Sequence, residues 1–430
     1  MTRTKTLVAV CVALMAVISS VTGLNVAQPH LAAEFGASQS TVLWIINGYV
    51  LTLAALLLPL GAVGDRWGRR PVLVGGLVVF GIANAVAGLA PSAEVLLATR
   101  VVAGVGAATI MPVTLAVITS TFPEQERGRA IGVWTGVAGG GGLLGMFLSA
   151  LLVDVATWRF LFVLPVALVA TAIVLALREV PDSRDVRPFD VGGAVTSVIA
   201  VAGLIYFLHE GGLIGLAVGA SAAVAFVVWE LRHPLPLLDI RLFRTRKLAT
   251  GSLVLLVVFG VQAGVSIVLY PFFQTVLGWS GLVSTVALLP MAGVMMVVSG
   301  LAPRLAERVG ARVTMSAGIA LGGTGLAFMA VFVDGGYLAV LPGMIAMGAG
   351  MGLSMPPATE AITSAVPQQG VASALNDVTR EFGTALGIAL LGAMVASAVD
   401  GGGSFVEGWR TAMWAGVALM AVLFGVAMRR

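Results

Sequence analysis

The sequence predicts an all-α polytopic membrane protein, and three observations lead to this fold class. The chain is 59% hydrophobic and 10% charged, with a mean hydropathy of +1.03, whereas soluble domains are about 25% charged. Its apolar residues form runs of about 20, the length that an α-helix needs to cross a bilayer. A charged turn between two runs, Asp65–Arg70, returns about 240 residues later as Glu307–Arg312, which indicates a duplicated membrane domain.

Fourteen transmembrane helices are predicted from the apolar runs. The first run continues to Ala27, which is too long for the apolar part of a cleaved signal peptide, although Arg3 and Lys5 precede it. The predicted spans are 7–27, 42–63, 72–91, 95–118, 128–152, 158–177, 190–208, 211–229, 248–271, 281–302, 313–333, 336–357, 371–398 and 409–428.

The positive charges orient these spans. With the N-terminus inside, about 20 of the 24 Lys and Arg fall in cytoplasmic loops, in agreement with the positive-inside rule. The exceptions are Arg159 and Arg410 near outer ends, and Arg100 and Arg380 within spans. We therefore expect a multi-pass protein of the plasma or inner membrane with both termini cytoplasmic. The net charge of +4 serves topology, so we expect no nucleic-acid partner.

The repeated turn predicts the domain organisation. It follows span 2 and span 10, so removing spans 7 and 8 leaves two sets of six. This predicts an N-terminal six-helix bundle at 1–178, two additional helices with cytoplasmic linkers at 179–247, and a C-terminal six-helix bundle at 248–430. Asp190 is predicted to cap the first additional helix. Repeated halves around a midplane site are typical of secondary transporters.

Composition and motifs exclude several classes of activity. Cys11 is the single cysteine of the chain, so no disulfide within the chain and no cysteine-based metal site can form. The sequence has no phosphate-binding loop of the Gly-x-x-x-x-Gly-Lys-Ser/Thr type. We therefore expect no enzymatic activity, no cofactor and no metal site, with a gradient as the source of energy.

Over nearly its whole length the chain resembles the major facilitator superfamily, specifically the fourteen-span drug:proton antiporters. The most specific matches are the loop Gly61–Arg70 and the stretch Arg100–Gly106 in span 4. The other matching elements are Asn25 to Pro29, Trp44, Tyr49, Trp158–Phe160, Pro236–Asp239, Gln274–Gly278 and Asn376–Gly383. The resemblance implies the major facilitator fold, with two six-helix bundles plus two additional central helices, and transport by alternating access.

Two departures from the family pattern bear on antiport. Ser20 stands in span 1 where these antiporters usually carry an acidic residue. The stretch Gly145–Ala150, which includes Met146, replaces a Gly-Pro-x-x-Gly-Gly element in span 5.

The resemblance assigns a gate to the two charged turns. It implies that the Asp65 carboxylate bonds neighbouring helix ends and cationic side chains in the outward-facing state. A turn that sets topology alone is the alternative. The predicted gating residues are Asp65, Arg66, Gly68, Arg69, Arg70, Glu307 and Arg308.

Charged residues inside the spans are the candidates for proton coupling, because a charge at the centre of a span costs about 2.5–3.5 kcal/mol and needs a cavity or a partner. Asp377, Arg380 and Glu381 share one face of span 13. Glu381 lies roughly 15 Å along the span at 1.5 Å per residue and is the predicted proton carrier and counter-charge for a cation. An ion pair that is purely structural is the alternative. The resemblance implies that Arg100 tunes proton transfer, and snorkelling to the outer interface is its alternative.

Aromatic and polar side chains near the predicted cavity are the candidates for binding a lipophilic substrate. For each aromatic residue, packing or lipid contact is the alternative. The predicted substrate-binding residues are Trp44, Tyr49, Trp134, Tyr270, Gln274 and Arg380, with Phe273 and Met291 as further candidates.

Three functions remain open from the sequence. The first is proton-coupled efflux of lipophilic or cationic small molecules, such as drugs or antibiotics. A monomer is sufficient for this function. Because span 1 lacks the acid, a neutral or zwitterionic substrate also fits. The second is a uniporter or importer of a small organic solute on the same fold. The third is a membrane sensor without transport activity.

Overall fold

The computed structural model describes residues 2–155, 157–184 and 188–428. This part of the chain forms fourteen α-helices and contains no strand, so the all-α prediction is confirmed. The helices are α1 (Thr2–Phe35), α2 (Gln39–Trp67), α3 (Arg69–Gly88), α4 (Ala93–Thr121), α5 (Glu124–Val155), α6 (Val163–Glu179), α7 (Val191–Glu210), α8 (Leu213–Arg232), α9 (Arg246–Pro271), α10 (Gly281–Val309), α11 (Ala311–Phe332), α12 (Gly336–Ala365), α13 (Gln369–Asp400) and α14 (Phe405–Met428).

The helices follow the predicted spans in order, and several are longer than predicted. A 3-10 turn, Trp158–Phe162, precedes α6, and a π-helical turn, Phe272–Val276, extends α9. Among the described residues, twelve stretches are long and apolar enough to cross a membrane, and one of them, Ala311–Ala365, contains both α11 and α12. Helix α5 is not among the twelve, and the count of fourteen spans stays a prediction.

Helices α2 and α10, which precede the two charged turns, have the same local construction. Each has 29 residues and follows a serine, Ser38 or Ser280, whose side chain accepts a hydrogen bond from a backbone N–H of the first turn. Each ends at a glycine with positive φ, 101° at Gly68 and 91° at Gly310, where a side chain would be strained. Serine is preferred at the position before a helix because its side chain can accept such a hydrogen bond from the first turn. The two copies therefore share their caps as well as their charges.

The chain forms two compact units, which we call unit 1 and unit 2. Unit 1 comprises Met1–Ala130, Gly141–Phe243 and Thr363–Val378, and unit 2 comprises Ile131–Gly140, Arg244–Ile362 and Thr379–Arg430. Helices α5 and α13 thus contribute residues to each unit. The predicted bundles follow the sequence repeat, and their boundaries stay predictions.

Small residues allow close helix packing inside each unit. In unit 1, a Cβ on Gly106 of α4 would lie 2.8 Å from the backbone nitrogen of Phe80 in α3. In unit 2, a Cβ on Gly387 of α13 would overlap the carbonyl oxygen of Gly260 in α9. Such contacts hold helices together in a bilayer, where burial from lipid provides little driving force.

The additional helices α7 and α8 form a hairpin within unit 1. Asp190 precedes α7, and its Oδ1 accepts hydrogen bonds from the backbone N–H of Gly193 and from Trp229 Nε1 of α8, each at 2.9 Å. The prediction that Asp190 caps this helix is confirmed. The same carboxylate therefore fixes the start of α7 and the end of α8.

Candidate functional site

The carboxylate of Asp65, at the end of α2, is buried and paired on both oxygens within unit 1. Oδ1 accepts a hydrogen bond from Arg69 Nη2 at 2.9 Å. Oδ2 accepts from the backbone N–H groups of Gly370 at 2.7 Å and Val371 at 3.3 Å, in the first turn of α13. The N-terminus of a helix has unpaired N–H groups and a partial positive charge, so it suits a carboxylate. One side chain thus joins the end of α2 to the start of α13.

Glycines make this contact close. A Cβ on Gly61 would lie 2.5 Å from the carbonyl oxygen of Gly370, and a Cβ on Gly370 would lie 2.8 Å from Oδ2 of Asp65. Any side chain at either position would therefore push α2 away from α13. The sequence motif indicated Gly61 and Asp65, but nothing in it identified Gly370 as their partner.

The rest of the first charged turn is bound to the linker that follows α6. The backbone N–H and Nη1 of Arg69 donate to the carbonyl oxygen and Oγ of Ser183, at 3.1 and 3.0 Å. A Cβ on Gly68 would lie 2.7 Å from Asp182 Oδ1. By contrast, Arg66 is exposed beside the Trp67 ring, and Arg70 is half-buried. The role of these residues as a gate stays a prediction.

The second charged turn has the same backbone but less side-chain contact. Glu307 and Arg308 are exposed. Neither makes a hydrogen bond or ion pair with another residue of the described chain. Arg312 of this turn donates from Nε to the carbonyl oxygen of Ala427 at 2.9 Å. The two turns therefore differ in how many contacts their acidic residues make.

Arg100 lies at the centre of a polar cluster in unit 1 and is 1% exposed. Its Nη1 and Nη2 donate to Oγ and the carbonyl oxygen of Ser20, at 2.8 and 3.2 Å, and its Cζ lies 4.2 Å from the centroid of the Tyr49 ring. Ser20 Oγ in turn donates to Asn84 Oδ1 at 2.9 Å. Among the described residues, no carboxylate pairs with Arg100. The hydroxyl and carbonyl oxygens of Ser20 therefore accept hydrogen bonds from the guanidinium and supply no counter-charge.

Arg100→Lys is expected to destabilise the protein although it keeps the charge. An ammonium cannot hold two oxygens of Ser20 while it lies flat on Tyr49, and a lost hydrogen bond to a charged group costs about 1.5–3 kcal/mol. The melting temperature of the purified protein in detergent should fall by several degrees. Arg410→Lys is the control, because Arg410 pairs with Asp334 at an exposed position. Equal melting temperatures for the two variants would contradict this reading of the Arg100 cluster.

In unit 2, Arg380 is packed between two aromatic rings. Its Cζ lies 4.4 Å from the ring centroid of Phe259 and 5.5 Å from that of Trp134, and the side chain is 9% exposed. Two buried arginines, Arg100 and Arg380, thus each face aromatic rings, which favours a cation by cation–π attraction. Sequence reasoning found Trp134 but missed Phe259, since a phenylalanine in an apolar run has no distinguishing signal.

The predicted acidic residues of α13 lie in different surroundings. Asp377, in unit 1, is fully buried, and its Oδ1 accepts a hydrogen bond from Asn376 Nδ2 at 3.1 Å. Glu381, in unit 2, is half-buried. Of the two, Glu381 is the more exposed, and its role as proton carrier stays a prediction.

The other predicted substrate-binding residues belong to different units, and each is described within its own unit. Trp44 contacts Tyr206 of α7, with ring centroids 5.8 Å apart. In unit 2, Tyr270 Oη donates to the carbonyl oxygen of Gly281 at 3.4 Å, and Gln274 beside it is exposed. The further candidates Phe273 and Met291 are buried. The side chain of Met146 lies outside the described residues.

Asn84 is the polar residue of the Arg100 cluster that sequence reasoning missed. It is fully buried, and its Nδ2 donates to the carbonyl oxygen of Phe80 at 2.8 Å. An amide in the middle of an apolar run was the available signal, because a buried polar group needs hydrogen-bond partners.

Trp158 and Arg159 fix the end of α1 through Glu34. Trp158 Nε1 and Arg159 Nη1 both donate to the Glu34 carboxylate. The hydrogen bond from Trp158, and after it the one from Arg159, lowers the pKa of Glu34, which lies beyond the predicted span 7–27. The Trp158–Phe160 element of the sequence therefore has a structural function at this helix end.

Over most of its length the chain is similar to known proteins. The family model described as Major Facilitator Superfamily matches residues 8–388. The multidrug resistance protein Stp of Mycobacterium tuberculosis is 32% identical over 92% of this chain and 76% of its own length. The cephamycin export protein CmcT of Amycolatopsis lactamdurans is 34% identical over 93% of this chain and 86% of its own. The crystal structure of the human organic anion transporter MFSD10 (TETRAN) has the same fold, with a TM-score of 0.72, 16% identity and 99% of both chains covered.

Proposed function

The chain belongs to the Major Facilitator Superfamily, and from this we propose that it exports lipophilic or cationic small molecules, such as drugs or antibiotics, in exchange for protons. Members of this superfamily are transporters of small molecules rather than enzymes. The observation that carries the proposal is the similarity, over most of both chains, to proteins named for multidrug resistance and for export.

The proton is proposed to bind Glu381. This carboxyl group is half-buried on α13, directly after Arg380, whose guanidinium lies on Phe259 and Trp134. A carboxylate in a span is a counter-charge for a cationic substrate, and its protonation removes that charge. Protonation from outside would therefore release the substrate, and deprotonation toward the cytoplasm would restore the binding site. No cofactor is needed, because the proton gradient supplies the energy.

We also propose the number of membrane spans, the side of the termini and the oligomeric state. Helices α11 and α12 are separate within one apolar stretch, and α5 has 32 residues, which is long enough to cross a bilayer. Together with the other eleven stretches they support fourteen spans, as in the drug:proton antiporters. The distribution of Lys and Arg supports cytoplasmic termini. A single chain is sufficient for this fold, so we propose a monomer.

Proton-coupled export is tested by Glu381→Gln in everted membrane vesicles. Respiration generates a pH gradient, a fluorescent dye reports it, and lipophilic cations, neutral antibiotics and dyes are added in turn. At least one compound should dissipate the gradient with the wild-type protein. Because Glu381→Gln removes the proton carrier, the rate of dissipation should fall at least about tenfold.

Asp400→Asn is the matched control for this experiment. Asp400 is also an acidic residue of α13 but is exposed at its end, so its variant should behave as the wild type. Dissipation that is equal in Glu381→Gln and the wild type would exclude Glu381 as the carrier. Facilitated uptake in intact cells with no proton movement for any compound would exclude antiport.

A uniporter or importer of a small organic solute is the second candidate function. The observation that favours it is the contact of Arg100 with the Ser20 hydroxyl, at a position where antiporters of this family usually carry an acid. Without that acid, unit 1 contributes no carboxylate to the Arg100 cluster among the described residues. Uptake down a gradient that is independent of proton movement would support this candidate.

A further inference from the structure

A cavity of about 250 Å³ lies within unit 1, beside the contact between Asp65 and α13. One wall is the end of α2, with Asp65, and a second is the start of α13, with Val371. The third wall consists of the two linkers that flank the α7–α8 hairpin, with Phe189 from the first and Leu235 from the second. No residue of these linkers was predicted to bind a ligand.

The charges and apolar groups of this cavity define the class of ligand that fits it. Asp65, Asp190 and Asp239 line it together with one cationic residue, Arg66, and the remaining lining is mostly proline, leucine and other apolar side chains. Because Asp65 is paired with Arg69, Asp190 and Asp239 against Arg66 leave one net negative charge. An excess of one charge in a cleft attracts the opposite charge. Ligand cavities are mostly apolar with a few polar groups and measure about 300–1,000 Å³, so this cavity suits a molecule smaller than most drugs.

The linker wall is held in place before any ligand binds. The backbone N–H of Leu237 donates to Asp190 Oδ2 at 3.3 Å, and that of Leu238 donates to Glu230 Oε2 at 3.1 Å. Asp190 also accepts from Trp229 of α8. The second linker is therefore fastened to both helices of the hairpin, and a fixed wall lowers the entropic cost of binding.

Two walls of the cavity belong to helices that are in contact, α2 and α13. These two walls are joined by the hydrogen bonds from Gly370 and Val371 to Asp65. If α2 and α13 separated, the cavity would lose one wall and open. A ligand that binds one conformation and not the other shifts the equilibrium toward the conformation that it binds.

We propose that this cavity is an inhibitory site for a small lipophilic cation, whose binding keeps α2 and α13 in contact and slows transport. The inhibition rests on the proposed transport function, whereas the binding does not. A transported substrate has the same chemistry, so the experiment must separate a second molecule in this cavity from a substrate in the transport site.

Binding is tested with benzyltrimethylammonium on the purified protein in detergent, by calorimetry and by the shift in melting temperature. Neopentylbenzene is the neutral probe, since it has the same shape without the charge. Leu235→Trp fills the cavity from an exposed position of the linker, and Asp239→Asn removes one lining charge. Leu213→Trp is the control for adding a tryptophan, because Leu213 is exposed at the opposite end of α8.

Benzyltrimethylammonium should bind the wild type and Leu213→Trp alike, and neopentylbenzene should bind more weakly. The affinity of benzyltrimethylammonium should fall at least about tenfold in Leu235→Trp, a loss of about 1.4 kcal/mol. In Asp239→Asn it should fall by a smaller factor. Equal affinity for Leu235→Trp and the wild type, or for the two probes, would overturn the proposal.

Transport gives a second and separate measurement. The probe should lower the maximal rate of efflux in the wild type without raising the KM of the substrate, and Leu235→Trp should remove this inhibition. Purely competitive inhibition that persists in Leu235→Trp would show that the probe occupies the transport site. If no compound is exported while binding depends on Leu235 as described, the proposed function fails and the site remains.

Discussion

Asp65→Asn is expected to lower efflux at least about tenfold while leaving the protein folded in the membrane. Three donors converge on this carboxylate: Arg69 Nη2 and the N–H groups of Gly370 and Val371. An amide offers one acceptor oxygen and brings an NH2 group against those donors. Hydrogen bonds to a charged group are worth about 1.5–3 kcal/mol each, and 1.4 kcal/mol is a factor of ten. If the contact between α2 and α13 acts as the proposed gate, losing these hydrogen bonds should lower the rate of transport.

Glu307→Gln is the matched control, since Glu307 occupies the same place in the second charged turn and is exposed. Its efflux should remain within about a factor of two of wild type, because a substitution at an exposed position without special contacts changes free energy by about 0.5 kcal/mol or less. Both rates are measured in vesicles that contain equal amounts of each protein. Equal loss in the two variants would mean that the turns serve topology, and no loss in either would remove the proposed gate.

Gly387→Ala is expected to prevent correct packing of α13 against α9. The added methyl group would overlap the carbonyl oxygen of Gly260, and a backbone atom cannot move aside by changing rotamer. Over-packing of a core costs about 1–3 kcal/mol where side chains can adapt, so the cost here should be at the upper end or beyond. The amount of monodisperse protein after extraction in detergent should fall severalfold.

Gly392→Ala lies on the same helix and controls for the change of glycine to alanine. The nearest atom to its added Cβ is 4.0 Å away, at Ile267 of α9, which is ordinary van der Waals contact. Alanine favours a helix by about 1 kcal/mol over glycine, so this variant should be at least as abundant as wild type. Normal yield and melting temperature for Gly387→Ala would show that α9 and α13 are farther apart than the contact between Gly387 and Gly260 requires.

The fold class and the positions of the helices could be predicted from the sequence because both depend on local patterns. An apolar run of sufficient length must satisfy its backbone hydrogen bonds internally, and a helix does so. The predicted spans 42–63 and 281–302 ended before the glycines that close α2 and α10, and the serine caps of these helices were not predicted. The charged turns could be placed because their residues are contiguous in the chain.

The partners of the candidate residues could not be predicted in this way. Asp65 was identified by its motif, but its bond to Gly370 joins positions 305 residues apart. Trp44 and Trp134 looked alike in sequence, yet Trp134 lies on Arg380 whereas Trp44 contacts Tyr206. Aromatic residues occur at membrane interfaces as well as around binding sites, so residue type alone does not separate the two.

The bond between Asp65 and α13 has a consequence for genetics. Its donors are main-chain N–H groups, which every residue except proline supplies. An alanine scan of the first turn of α13 changes side chains and leaves these donors in place. Its effects therefore show steric crowding and not the loss of the hydrogen bonds to Asp65. Pairwise covariation between aligned positions is equally blind to it, because no change of side chain on α13 compensates a change at Asp65. Second-site suppressors of Asp65 variants should therefore arise elsewhere than in this turn.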